Sequence, residues 1–113
     1  MAEPTRDPAI RGKVIRFAWT EGPTKGTTHE HTFHDDGTVQ WRDVKQSGAS
    51  LSAERPQYSA VKVADDIYLV SYLAPSGYAL TVALNFRDHQ IAGIASGAKD
   101  WYPLRGTLEL AGR

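Results

Sequence analysis

The sequence of 113 residues contains no cysteine, no excess charge of either sign and no long apolar run. The missing cysteine excludes disulfides and thiolate chemistry, and it removes a usual indicator of the redox compartment. Basic and acidic side chains number 13 each, so there is no net charge to attract nucleic acid or an anionic membrane. No stretch approaches the roughly 18 apolar residues of a membrane span, and the N-terminus lacks the apolar segment of a secretory signal. We expect a soluble, cytoplasmic protein that binds neither nucleic acid nor membrane.

The length predicts one domain that can bury a core without disulfides or metal. Residues 1–11 carry two prolines and mixed charge without periodicity. This composition predicts a flexible N-terminal tail, followed by a folded domain over residues 12–113.

Short runs of alternating apolar and polar residues follow, separated by turn residues, a pattern typical of β-strands. The clearest pair is THEHTFH and TVQWRDV, joined by the tight turn DDG. The other runs are GKVIRFAWT, YSAVKVA, DIYLVSYL, YALTVALNF, IAGIASG, KDWYP and RGTLELAG. About eight sequential strands without an amphipathic helix predict an all-β fold, most simply a small antiparallel up-and-down β-barrel without exposed sheet edges. An open sandwich is the alternative.

Alternation along each strand separates an inward from an outward face. The predicted inward face is rich in rings with polar tips, and its candidate ligand-binding members are Phe17, Trp19, His29, His31, Trp41, Tyr68, Tyr72 and Tyr78. A solidly packed barrel would favour aliphatic residues, because every buried hydroxyl or imidazole needs a hydrogen-bond partner. Aromatic walls with a few polar tips are typical of a small-molecule pocket.

Three of the four histidines lie close together in THEHTFH. His29 and His31 share a face, a spacing that a metal ion could use, but a zinc site needs a third ligand. Glu30 and His34 face the other way and His89 lies in a distant turn, so we predict neither a metal site nor a cofactor. The two inward histidines either hydrogen-bond to tyrosine or backbone, or contact a ligand directly.

Arg42 faces outward by the same alternation, where Glu30 on the neighbouring strand is its expected partner. A bulge that turned Arg42 inward would instead let it bind a carboxylate with two hydrogen bonds. The acidic pairs at 35–36 and 65–66 are read as turn residues rather than as an acid/base couple.

The runs THEHTFHDDGTVQWR, AVKVADDIYLVSYLAPSGYALTVALNF and KDWYPLRGT resemble, in order and spacing, the MoaF-like family, named after molybdenum cofactor biosynthesis protein F. The resemblance covers roughly residues 12–110. It implies a lipocalin-like, or calycin, barrel, in agreement with the strand pattern. No pterin- or nucleotide-handling motif accompanies it.

The chain is also similar to the phenolic acid decarboxylases, through TVQWRDVKQSG and IYLVSYLAPSG. The resemblance implies two catalytic tyrosines at the positions of Phe17 and Trp19, and a catalytic glutamate at the position of Ala74. The family's arginine would fall near Ala53, with Arg55 close but out of register. None of the residues at the matching positions can transfer a proton, so decarboxylase activity is not expected. His29 stands where those enzymes carry a substrate-lining aromatic residue.

Three functions follow as hypotheses. The first is a binding module that holds a small aromatic or hydrophobic molecule among the rings. The second is a lyase or isomerase in which His29 or His31 acts as a base and a tyrosine as an acid. The third is a filled barrel that acts in interaction, as a homodimer joined through its exposed strands.

Overall fold

The computed structural model describes residues 10–44 and 52–112, and within these ranges it contains strands and turns but no helix. The eight strands are β1 Val14–Glu21, β2 Thr28–Phe33, β3 Val39–Asp43, β4 Tyr58–Ala64, β5 Ile67–Leu73, β6 Ala79–Asn85, β7 Gln90–Ser96 and β8 Trp101–Gly112. The predicted all-β class is confirmed. Residues 45–51 of the predicted polar loop lie outside the described residues.

All strand pairs are antiparallel, and the order across the sheet is β3-β2-β1-β8-β7-β6-β5-β4. Strands that are neighbours in sequence pair with each other, except β3 and β4, and the pairing of β1 with β8 curls the sheet round into a small up-and-down barrel. The barrel prediction is thereby confirmed. A seam is left between β3 and β4, the two ends of the sheet.

Among the described residues, backbone hydrogen bonds cross this seam between β3 and the segment that precedes β4. There the segment before β4 runs beside β3, with Val39 N donating to Pro56 O at 2.9 Å and Ser52 N donating to Trp41 O at 2.7 Å. An isolated bridge pairs Thr38 with Gln57. Side chains complete the closure: the ring of Phe33 on β2 meets that of Tyr58 on β4 edge-on, with centroids 5.0 Å apart.

The turn between β2 and β3 shows why this hairpin could be predicted from sequence. Asp36 Oδ1 accepts hydrogen bonds from the backbone N of Thr38 at 3.0 Å and from its hydroxyl at 2.6 Å. Gly37 has a φ of 88°, a conformation that glycine adopts at no steric cost. The DDG sequence thus supplies both the side-chain acceptor and the residue that the turn requires.

The predicted separation of KDWYP from RGTLELAG is wrong, because β8 runs unbroken from Trp101 to Gly112. Pro103 interrupts nothing, since β1 pairs with β8 only from Arg105 onward. Proline therefore sits beyond the end of one neighbouring strand, a place where a sheet tolerates the missing N–H.

One end of the barrel interior is packed with apolar side chains. It contains Ile10, Ile15, Phe33, Val39, Tyr68, Leu84, Ile91 and Leu108. Ile10 is fully buried, and its carbonyl accepts a hydrogen bond from Lys13 N at 3.1 Å. Ile10, at the end of the predicted tail, thus packs against the barrel, and residues 1–9 lie outside the described part of the chain.

The outer surface has two different halves. On the β1–β3 side, Glu30 is 6% exposed and lies between two arginines. Arg42 Nη2 donates to Glu30 Oε1 at 2.7 Å and Arg16 Nη2 to Oε2 at 2.6 Å. The hydrogen bonds from Arg16 and Arg42 lower the pKa of Glu30. The predicted Glu30–Arg42 pair is confirmed, and Arg42 faces outward rather than into the barrel.

On the β4–β8 side, three rows of paired outward residues are apolar or uncharged polar, and the exposed Arg105 continues the first row onto β8. The rows are Val61, Leu69, Ala83 and Ala92; Ser71, Thr81, Ile94 and Pro103; and Leu73, Ala79, Ser96 and Trp101. Leu73 and Trp101 are the most exposed of these, at 73% and 68%. This apolar outer face is defined here by the twelve residues of the three rows.

Two inward-facing glycines mark where neighbouring strands come closest. A Cβ added at Gly106 would lie 2.2 Å from the carbonyl oxygen of Ala18 on β1, and one at Gly93 would lie 2.1 Å from that of Thr81 on β6. Both clashes are with backbone, which cannot rotate away. These glycines are therefore needed for the tight curl of β7 and β8.

We expect Gly106→Ala to destabilise the barrel by about 1–3 kcal/mol or more, because β1 and β8 must move apart to admit the methyl group. Urea unfolding followed by circular dichroism measures this loss. Thr107→Ala, one residue along on the exposed face of the same strand, is the matched control and should change stability little. Equal stabilities for the two variants would contradict the close approach.

Candidate functional site

The end of the barrel opposite the apolar packing contains a cavity of about 200 Å³, called here the inner chamber. Its lining residues are Trp19, Pro23, Thr24, His29, His31, Trp41, Tyr72, Leu80, Ala95 and Leu104. An adjoining space of about 420 Å³, the vestibule, shares four of these residues and leads to the rim. The shared residues are Trp41, Tyr72, Leu80 and Ala95.

Trp19 and His29 form one wall of the inner chamber from the adjacent strands β1 and β2. The indole N–H of Trp19 donates to Nδ1 of His29 over 3.0 Å. A neutral His29 that accepts at Nδ1 carries its proton on Nε2. Burial lowers the pKa of His29, although the charge of Asp43 opposes the shift. His29 is therefore a neutral group whose Nε2–H remains a hydrogen-bond donor.

His31 and Tyr72 form a hydrogen-bonded pair that reaches behind the seam from β2 to β5. His31 Nε2 and the Tyr72 hydroxyl are 2.9 Å apart. Burial lowers the pKa of His31 to about 3, and the positive charge that His29 gains on protonation adds to the shift. Burial also raises the pKa of Tyr72. Both groups are neutral over the physiological range. Nδ1 of His31 is buried and has no hydrogen-bond partner among the described residues.

Aromatic stacking holds this pair in place. The rings of Trp41 and Tyr72 stack with centroids 5.3 Å apart and planes at 22°, which forms the partition between inner chamber and vestibule. On the other side, the imidazole of His31 stacks on Phe17 at 4.5 Å. Such contacts are worth about 0.5–1.5 kcal/mol each beyond the area they bury. The polar atoms of the chamber are thus carried by side chains with little freedom to move.

Three of the predicted site residues stand apart from the chamber lining. Phe17 lies one layer deeper and is 1% exposed, so it supports His31 and Trp19 from below. Tyr68 faces inward as predicted, but at the apolar end, where it contacts Phe86 edge-on at 6.1 Å. Alternation assigns a face of the sheet and not a depth along the barrel axis, which explains both cases.

Tyr78 lines the vestibule rather than the inner chamber. It lies one residue before the start of β6. Its hydroxyl donates to Asp100 Oδ1 at 2.8 Å at the rim of the vestibule, and Tyr102 donates to the other oxygen of Asp100 at 3.1 Å. The bond to Asp100 raises the pKa of Tyr78 to about 12.

Some residues that line the chamber come from parts of the chain other than β1–β3, and the sequence did not predict them. Pro23 and Thr24 come from the loop between β1 and β2, and Leu104 comes from β8. Gly22, with a φ of 104°, allows this loop to fold against β8, where a Cβ would lie 2.8 Å from the Leu104 side chain. The GP pair within EGPTKG was the available signal, but it predicts a turn without saying what the turn covers.

A larger depression of about 480 Å³ lies outside the barrel, between β1, β8 and the turn after β6. It is an open groove lined by charged side chains, and Arg16 in its wall is already paired with Glu30. Across residues 10–44 and 52–112, no three potential metal ligands come together. In the same ranges no helix has the length and apolar character needed to cross a membrane.

The pKa of His31 predicts an acid-sensitive fold. The unfolded chain protonates this imidazole near its ordinary value of about 6.5, whereas the folded chain does so only near 3. The stabilising contribution is complete above the unfolded pKa and declines as the pH falls below it. Between pH 7.5 and 5.5 we expect His31 to account for a loss of about 1.4 kcal/mol.

Urea unfolding at the two pH values tests this expectation. His31→Gln, which cannot titrate, should lose about 1.4 kcal/mol less than the wild type over that interval. His34→Gln, which removes a histidine on the outer face, is the matched control and should behave like the wild type. An identical pH dependence of His31→Gln and wild type would contradict a buried, neutral His31.

Comparison with known proteins agrees with this architecture. The model of the MoaF N-terminal domain matches residues 8–100. No curated protein matches the chain. A crystal structure from Burkholderia vietnamiensis, provisionally described as a beta-lactamase, superimposes with a TM-score of 0.74 over 95% of this chain and 100% of its own, at 17% sequence identity. At that identity the likeness shows a shared fold alone.

The family resemblance expected from the three sequence runs is confirmed, since the matched region extends from just before the buried Ile10 into the residues that precede β8. It includes every strand that contributes rings to the inner chamber. This protein belongs to the MoaF family through its MoaF N-terminal domain.

Proposed function

We propose that this protein is a small-molecule-binding barrel that holds one aromatic or similarly sized hydrophobic molecule in its inner chamber. The observation that carries the proposal is a ring-lined space of about 200 Å³ at one end of the barrel, bordered by the neutral polar side chains of His29, His31 and Tyr72. Aromatic walls with a few polar groups are typical of a small-molecule pocket.

The volume sets the size of the molecule. An apolar protein cavity of about 150 Å³ accepts benzene, and the inner chamber is somewhat larger at about 200 Å³. A single substituted ring fits that space. A longer substituent would extend past Trp41 and Tyr72 into the vestibule.

The protonation states favour binding over acid/base catalysis. Catalytic acids and bases work best when their pKa values lie near the working pH. Here burial lowers the pKa of His31 to about 3 and raises that of Tyr72. A pair that neither gains nor loses a proton near neutrality serves as a hydrogen-bonding pair.

Filling the chamber tests the proposal. Ala95→Leu should occupy part of the space and weaken binding of single-ring compounds at least tenfold, with the fold intact by circular dichroism. The readouts are intrinsic tryptophan fluorescence, which senses Trp19 and Trp41 in the walls, and the ligand-induced rise in melting temperature. Ala92→Leu, outward-facing on the same strand, is the matched control.

Wild-type binding that survives Ala95→Leu unchanged would remove the ligand from the inner chamber. A folded wild type that shows neither quenching nor stabilisation across a panel of phenols, aromatic amines and aromatic acids would overturn the binding function itself.

The apolar outer face supports a second candidate function, self-association. Its twelve residues carry no charge, and Arg105 lies beside Ala92 at the border of the face. The same face of a second copy in a two-fold arrangement therefore meets a surface with little charge to compensate. Exposed apolar patches of this kind mark interaction sites. The occupant we propose is therefore a second copy of this chain.

We expect the wild type to be dimeric at micromolar concentration by size-exclusion chromatography with light scattering. Ile94→Lys, in the central row, should yield monomers because burying an unpaired ammonium is costly. Thr107→Lys, an outward residue of β8 outside the three rows, should remain dimeric. A monomeric wild type, or an Ile94→Lys dimer, would contradict the interface.

A further inference from the structure

Resting on the proposed binding function, we propose that the inner chamber selects uncharged single-ring compounds that carry a hydroxyl group, the phenol class, over related compounds that carry a carboxylate or an ammonium group. This selection follows from the hydrogen-bonding groups that line the chamber and from the absence of charged groups among its described lining residues.

The inner chamber offers no charged partner. None of its described lining residues is lysine, arginine, aspartate or glutamate. The guanidinium groups of Arg16 and Arg42 lie on the outer face, where both are bound to Glu30. A carboxylate that entered the chamber would lose its hydration without gaining a counter-ion, which is a large penalty.

The His31–Tyr72 pair determines which neutral group fits. If His31 carries its proton on Nδ1, Tyr72 donates to Nε2, and the Tyr72 oxygen remains available as an acceptor. If His31 carries its proton on Nε2, it donates to Tyr72, and the Tyr72 O–H remains available as a donor. In either tautomer the Tyr72 hydroxyl keeps an unused hydrogen-bonding site, whereas His31 Nδ1 is buried.

A hydroxyl group matches this requirement because it donates and accepts at the same atom. Ethers and carbonyls only accept, so they cannot donate to the Tyr72 oxygen. His29 Nε2–H adds a further donor, since Trp19 already occupies Nδ1. A phenol can therefore form more hydrogen bonds in the chamber than its methyl ether can.

An ammonium group has less to gain. Cation–π attraction needs free ring faces, but Trp41 and Tyr72 cover one face of each other by stacking. Among the described lining residues there is also no carboxylate to neutralise the charge. We expect the desolvation penalty to exceed the attraction.

A matched series of one-ring compounds tests the inference by isothermal titration calorimetry at neutral pH. The probes are p-cresol, its methyl ether p-methylanisole, the carboxylate p-hydroxyphenylacetate and the amine tyramine. We expect p-cresol to bind most tightly, the carboxylate and the amine at least tenfold more weakly, and the ether about three- to tenfold more weakly, as for one lost hydrogen bond.

Tyr72→Phe is the decisive variant, because it removes the hydroxyl that lets the pair both donate and accept. The preference for p-cresol over p-methylanisole should fall to within about twofold. Tyr102→Phe removes a hydroxyl that is bound to Asp100 and lines neither the inner chamber nor the vestibule, and it should retain the wild-type preference. Where Tyr72→Phe does not fold, the wild-type ranking of the four probes decides.

The outcomes separate the two levels of the proposal. If p-hydroxyphenylacetate or tyramine binds as tightly as p-cresol and Ala95→Leu abolishes that binding, the chamber binds ligands but the selection for uncharged phenols is wrong. If none of the four probes binds the folded wild type, the inference fails together with the binding function. An unchanged ether-to-phenol ratio in Tyr72→Phe would overturn the role of the pair.

Discussion

The barrel depends on side-chain contacts across the seam between β3 and β4, and the hydrogen bond between His31 and Tyr72 lies at their centre. Among the described residues, backbone hydrogen bonds cross the seam from β3 to the segment before β4, at Val39 and Pro56 and at Trp41 and Ser52. In the interior, closure rests on the His31–Tyr72 bond and on the stack of Trp41 over Tyr72. Because both hydrogen-bonding groups are buried, breaking the bond would leave them without the water that normally compensates the loss. The groups that close the barrel are also groups that line its chamber.

Strand alternation keeps charged side chains out of this chamber. Glu30 sits between His29 and His31 in sequence, yet it points to the opposite side of β2, where Arg16 and Arg42 hold it. The ionised groups are thereby confined to the outer face, and the interior keeps only neutral hydrogen-bonding groups. The family and the structural likeness establish the barrel, but a fold of this kind hosts many functions. The proposed function therefore depends on the uncharged lining of the inner chamber, since a chamber that binds an anion would need a positively charged side chain.

Much of the fold and part of the site could be predicted from sequence because they depend on local periodicity. Alternation correctly oriented Trp19, His31, Trp41 and Tyr72, and it placed Arg42 beside Glu30 on the outside. Turn chemistry predicted the hairpin between β2 and β3 for the same reason, since a β-turn is decided by a few adjacent residues. These features need no knowledge of distant parts of the chain.

What the sequence by itself determined, then, was the succession of strands and the face on which each side chain lies. Only the tertiary structure decided how deep each side chain sits, because depth depends on register and curl, which neighbouring strands set together. Tyr68 faces inward but belongs to the apolar end, and Phe17 supports the chamber from below. The same holds for Ile10, which no periodic pattern marks and which is buried because the chain before β1 folds back over the barrel end. Contacts between residues far apart in sequence, such as the 41-residue separation of His31 and Tyr72, arise from closure of the barrel, and closure is a property of all eight strands at once.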